Sequence, residues 1–127
     1  MRSGVTLVEL TVMIAVLLLI IGVLFVGARA WKRGADRANC VINIRRVQVA
    51  MRSFANYNEH HEGEDISPVS LEGALIGSGS YLEKQPLCPG SGIYSFGGNT
   101  IPAMGRLYMT CSLAATEHHQ PDEFGEW

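Results

Sequence analysis

The sequence predicts an α+β protein in which one long N-terminal α-helix leads into a small C-terminal head with a short antiparallel β-hairpin. Three observations support this fold class. An uncharged apolar run fills residues 10–28, apolar residues then recur every three or four positions as far as Phe54, and two short β-prone runs flank a glycine-rich connection near the C-terminus. The 127 residues leave room for one small domain beyond the helix.

The first element is a candidate membrane helix. Residues 10–28 read LTVMIAVLLLIIGVLFVGA and contain no charged side chain. At a rise of about 1.5 Å per residue, such a run matches a hydrocarbon core of about 30 Å. It is longer than the apolar region of a cleaved secretory signal, which has about 7–15 residues, and no small-residue cut site follows it before Arg29. We therefore expect the helix to stay with the chain.

The second element continues this helix as an amphipathic segment. Its apolar residues fall at spacings of four, three, four and three, which places them on one narrow face. We name this face the apolar seam; it comprises Cys40, Ile44, Val47, Met51 and Phe54. Polar residues after Tyr57 predict that the helix ends there.

The head begins after a linker. Residues 71–82 predict a short helix or a turn-rich segment. Residues 93–96 and 106–111 predict two antiparallel strands, with a turn at Gly97-Gly98-Asn99.

Charge is distributed unevenly along the chain, although the net charge is only −2. Residues 29–52 contain seven basic side chains and one acidic one, whereas residues 53–127 contain two basic and ten acidic side chains. A basic helix with an acidic head suits subunits that stack head against helix; solvated faces and basic residues reaching lipid headgroups explain the pattern equally well. The acidic head disfavours nucleic acid as a partner, because phosphates are bound by lysine and arginine.

The heptapeptide GVTLVEL at residues 4–10 resembles the cleavage and assembly signal of type IV pilins and type II secretion pseudopilins. The resemblance implies that a prepilin peptidase cuts after Gly4 and methylates the new N-terminus at Val5, and that Glu9 directs assembly. A carboxylate at membrane depth costs roughly 2.5–3.5 kcal/mol, so Glu9 needs a partner, and the freed amine of Val5 in a neighbouring subunit would supply one. On its chemistry alone, Glu9 could equally be a wetted carboxylate at the headgroup edge.

The resemblance also implies an organisation of the chain and a set of partners. It divides the sequence into a leader at 1–4, a transmembrane and assembly helix at 5–30, an amphipathic continuation at 31–58 and a head at 59–127. The implied protein is a filament subunit without cofactor or enzymatic activity, in the bacterial inner membrane with its head in the periplasm, and afterwards in a periplasmic or cell-surface filament. Its implied partners are the prepilin peptidase, further copies of itself and other pilin-like subunits, membrane lipid and, indirectly, an inner-membrane platform protein and a motor ATPase.

The cysteine pattern resembles a pseudopilin subgroup whose members end in a small β-hairpin closed by a disulfide. It comprises a cysteine on the N-terminal helix, the run PLCPGSGIYSF and a later TCS. The resemblance implies a disulfide between Cys88 and Cys111, whose loop of about 24 residues would give roughly 3–3.5 kcal/mol. A disulfide requires an oxidising compartment, which we weigh above the positive-inside rule, since that rule alone would place the head in the cytoplasm. Cys40 is then a buried small hydrophobe or, less expected, an intersubunit or lipid attachment point.

No recognisable catalytic or metal-binding motif occurs in the sequence. Without CxxC or HxxxH spacing we expect no zinc site. The pairs His60-His61 and His118-His119 could bind a metal if they met in space, but exposed loop histidines are the favoured interpretation. The acids at 122, 123 and 126 reproduce no calcium loop. Two functional alternatives stay open: a binding module at a filament tip, for adhesion, DNA uptake or contact with an export substrate, and a membrane-anchored periplasmic protein that does not polymerise.

Overall fold

The computed structural model describes residues 4–127, which form two compact units divided after Gly34. A long N-terminal helix and a two-stranded antiparallel sheet confirm the predicted α+β fold. The elements in chain order are α1 (Leu7–Tyr57), α2 (Leu71–Leu75), β1 (Tyr94–Phe96), β2 (Met109–Cys111) and α3 (Ala114–Glu117).

The N-terminal unit consists of the first part of α1 and the residues before it. Thr6 Oγ1 accepts a hydrogen bond from the Glu9 amide at 3.3 Å and thereby caps one of the free N–H groups at the start of the helix. All side chains at residues 4–34 are exposed. The helix is long and apolar enough to cross a membrane, and none of its most apolar 18-residue stretch is buried in the structure.

The C-terminal unit, Ala35–Trp127, is built on the amphipathic part of α1. The apolar seam is confirmed: its first four residues are buried, and Phe54 is partly buried against the same core. The helix ends at Tyr57, as the sequence predicts. Other large side chains that complete the core include Leu71, Leu75, Ile101, Tyr108 and Met109.

The hairpin pairs β1 with β2 in the register Tyr94↔Cys111 and Phe96↔Met109. Its second strand is shorter than the predicted 106–111, because the preceding backbone bonds elsewhere. The Tyr108 amide donates to Gln48 Oε1 on α1 at 2.9 Å, so this amide bonds to the helix, whereas the Tyr108 carbonyl still accepts from the Gly97 amide at 2.8 Å. The short helix predicted after the linker is α2, capped by the Ser70 hydroxyl at the Gly73 amide.

Candidate metal centre

Three cysteines and one histidine meet in the C-terminal unit. One potential ligand atom from each of the four side chains lies within 4.8 Å of all the others, and all four residues are buried. We name this group the Cys3His cluster; it comprises Cys40, Cys88, Cys111 and His119.

Different segments deliver the members of the Cys3His cluster. Cys40 begins the buried seam of α1, and Cys111 ends β2. His118, which follows α3, has a left-handed backbone with φ of 56°, and the next amide, that of His119, bonds back to Leu113 O at 3.3 Å. This local reversal of the chain turns the His119 imidazole towards the cysteines.

The sulfur atoms are in contact without being bonded. Cys88 Sγ lies 3.7 Å from Cys111 Sγ and 3.3 Å from His119 Nδ1. A disulfide requires about 2.05 Å between the sulfurs, and all three cysteines are free thiols. The disulfide between Cys88 and Cys111 stays a prediction.

Two glycines allow the backbone to approach the cluster closely. A Cβ atom on Gly92 would lie 2.6 Å from Cys111 Sγ, and one on Gly90 would lie 2.6 Å from His119 Cε1. Both distances are shorter than real Cβ contacts, so a side chain at either glycine would force Cys111 or His119 to move within the cluster.

Hydrogen bonds and burial shift the pKa values of the Cys40 and Cys88 thiols in opposite directions. Burial raises the pKa of Cys40 to about 12, partly offset by the Tyr94 hydroxyl, which donates to Cys40 Sγ at 3.3 Å. Burial also raises the pKa of Cys88, but hydrogen bonds to its sulfur, led by the amides of Gly92 and Gly90, outweigh this and leave the pKa below its usual value. Backbone donors therefore already favour a thiolate at one corner of the cluster.

The second ring nitrogen of His119 faces a carboxylate. His119 Nε2 lies 3.7 Å from Glu117 Oε2, while Nδ1 faces the sulfur of Cys88. A carboxylate on the far nitrogen is the usual companion of a histidine that binds metal, because it fixes the ring and its tautomer.

The structure corrects one expectation about the histidines. His61 and His118 are exposed as expected, but His119 is only 1% exposed, so the expectation of a loop histidine is wrong for it. The cluster as a unit does not follow from local sequence patterns, because its members are far apart in the chain: Cys40 is 79 positions from His119.

The predicted processing residues lie in the N-terminal unit. Gly4 and Val5 are exposed and precede the first helical residue, Leu7, and Glu9 lies in the first turn of α1.

Compared with known proteins, the chain matches no family model, no curated protein and no solved structure.

Proposed function

We propose that the chain is a structural subunit of a type II secretion pseudopilus or a type IV pilus-like filament, anchored in the bacterial inner membrane with its head in the periplasm. The observation that carries this proposal is the heptapeptide at residues 4–10, which runs into the first turn of a helix whose apolar side chains are all exposed as far as residue 34. A helix that is apolar on every side needs lipid or other helices around it. The core of a filament supplies other helices.

The position of Gly4 and Val5 supports cleavage between them. Both residues are exposed and lie before α1, so the peptide bond that joins them is outside the hydrogen-bonded helix. A peptidase can reach such a bond without unwinding a helical turn.

The environment of Glu9 supports its role in assembly. Within residues 4–127, no basic side chain forms an ion pair with its carboxylate. Cleavage would create a cation at the N-terminal amine of Val5. In a filament, the Val5 amine of a neighbouring subunit would neutralise Glu9 in an apolar environment. Such a pair would fix the stagger between subunits, while the apolar surfaces of the helices supply most of the association energy.

The proposed subunit acts mechanically and not as an enzyme. A motor ATPase and a membrane platform would add subunits one at a time and thereby extend a fibre that displaces an export substrate or reaches the cell surface.

The first experiment tests processing. The chain is expressed together with a prepilin peptidase, and its intact mass and N-terminal peptide are measured after extraction from the membrane. We expect a chain that begins with methylated Val5. Gly4→Leu should abolish cleavage, whereas the matched control Gly22→Leu, at another exposed glycine with open space around it, should be cleaved as the parent is. A parent chain that keeps Met1 in the presence of active peptidase would refute the proposal.

The second experiment tests assembly independently of cleavage. Glu9→Gln should be cleaved normally but should lose the ladder of cross-linked subunits that the parent forms in membranes. Glu83→Gln, at an exposed acid of the C-terminal unit, is the matched control and should keep the ladder. A cleaved parent without any ladder would favour the membrane-anchored protein that does not polymerise.

A further inference from the structure

We propose that the Cys3His cluster binds one zinc ion as a closed structural site. The inference does not rest on the proposed filament function, since all four side chains belong to the C-terminal unit. A zinc site keeps Cys88 and Cys111 as thiolates, so it replaces the disulfide that the resemblance implies, and the periplasmic position of the head then rests on the heptapeptide at residues 4–10 and not on a disulfide.

The spacing of the ligand atoms fits a tetrahedral ion. With Zn–S bonds of about 2.3 Å, tetrahedral geometry places two sulfurs about 3.8 Å apart, and Cys88 Sγ and Cys111 Sγ are 3.7 Å apart. For a sulfur and a nitrogen the corresponding separation is about 3.6 Å, close to the 3.3 Å between Cys88 Sγ and His119 Nδ1. The other separations are at most 4.8 Å, so the side chains would have to draw together by about 1 Å or less to receive the ion.

The ligand types favour a thiolate-binding metal such as zinc over magnesium and calcium. Thiolate sulfur and imidazole nitrogen in a four-coordinate site are typical of structural zinc, whereas magnesium and calcium prefer oxygen ligands. All four positions are filled by protein side chains, which leaves no open position for a substrate. The site is thus suited to holding the fold together and not to catalysis.

The surroundings of the cluster provide what a buried thiolate-rich site needs. Backbone amides of Gly90 and Gly92 donate to Cys88, and the Tyr94 hydroxyl donates to Cys40. The carboxylate of Glu117 faces the imidazole nitrogen that does not point to the sulfurs. The amide and hydroxyl donors stabilise the negative charge that the thiolates bring, and the carboxylate orients the imidazole.

A disulfide explains the arrangement less completely. It would use Cys88 and Cys111 and leave two members of the cluster without a role, although Cys40 and His119 are fully buried beside them. Zinc uses all four residues and joins α1, a loop, β2 and the segment after α3 at one point. In a domain with a thin core, this linkage contributes directly to folding.

The test measures metal and thiols in the same sample. The full chain is extracted in detergent and purified without metal-affinity resin. It is then incubated with zinc and desalted, and its zinc content is determined by elemental mass spectrometry. We expect about one zinc per chain, with three thiols that become reactive only after a strong chelator removes the ion. His119→Ala should retain zinc at least about tenfold less well, whereas His118→Asn, at the exposed neighbour with a left-handed backbone, should retain it like the parent.

A second measurement guards against a variant that fails to fold. Cobalt is added to the metal-free parent chain in place of zinc, and its visible absorption is recorded. Tetrahedral coordination by thiolates gives a characteristic absorption, so this measurement needs no mutation. The proposal is overturned if the parent contains a Cys88–Cys111 disulfide when isolated, if its thiols are reduced yet neither zinc nor cobalt binds, or if the His118 variant loses zinc as the His119 variant does.

Discussion

The two parts of α1 have the same backbone but opposite surroundings. Before residue 35 every described side chain is exposed, whereas from Cys40 onwards one face of the helix is buried. Helical hydrogen bonds form along both parts, so the difference lies only in the side-chain pattern. A helix that is apolar all round has to find its environment outside the chain, and a helix with one apolar face can bury that face against its own chain.

The largest effect should come from separating the two units. Removing residues 1–34 should turn a chain that remains in membranes or detergent into a water-soluble domain, because each exposed aliphatic side chain withdrawn from water is worth about 1.5–3 kcal/mol. Membrane flotation and thermal unfolding of the truncated chain would check this. Persistent flotation of the truncated chain would show that the C-terminal unit binds membranes by itself.

The next largest effect on the free energy of unfolding should come from comparing a Met→Ala substitution in each of the two parts of α1. Met51 is fully buried and Met13 is 58% exposed. Met51→Ala should lower the free energy of unfolding by about 2–5 kcal/mol, because it removes buried surface and leaves a cavity. Met13→Ala should change it by less than about 0.5 kcal/mol in detergent. Equal effects in denaturant titrations would contradict the division of the helix.

A smaller effect is expected at a buried polar side chain. Gln48 is buried on α1, where its Nε2 donates to Arg106 O at 3.0 Å and its Oε1 accepts from the Tyr108 amide. Gln48→Ala should cost about 1–3 kcal/mol, because it leaves the buried Tyr108 amide and the partly buried Arg106 carbonyl without their partner. Gln85→Ala, at an exposed site, is the control and should be close to neutral in the same titrations.

The smallest effect concerns pH. The pKa of Glu64 is lowered by hydrogen bonds from the His61 amide and the His60 side chain. A carboxyl with a lowered folded pKa stabilises the fold above its unfolded value of about 4.3, and this contribution is lost as the pH falls through the lowered pKa. Unfolding midpoints of the parent and Glu64→Gln should therefore differ at neutral pH and converge in acid. A constant difference across that range would rule out the ionised carboxylate as the cause.

Local patterns of the sequence were sufficient for much of the fold. The seam from Cys40 to Met51 and the end of α1 at Tyr57 follow from helical periodicity and polar residues, and the hairpin follows from its strands and turn. The Cys3His cluster could not be predicted in this way. Cys88 is 31 positions from His119, and these side chains meet only after several segments pack together, which spacing rules for contiguous metal motifs do not cover.

The contacts of α1 near Cys40 constrain the order of events during synthesis. Arg37 binds Asp122 at 3.0 Å, Cys40 donates to His119 O, and these partners lie 85 and 79 positions further along the chain. At about 5–20 residues per second, a ribosome needs roughly 4–17 s to reach Asp122 after Arg37. During this interval the Cys40 end of the seam lacks its contacts with His119 and Asp122, although core residues such as Leu71 and Met109 are made earlier. A nascent chain stalled before His119 would therefore leave the Cys40 end of the apolar face open to chaperones and proteases.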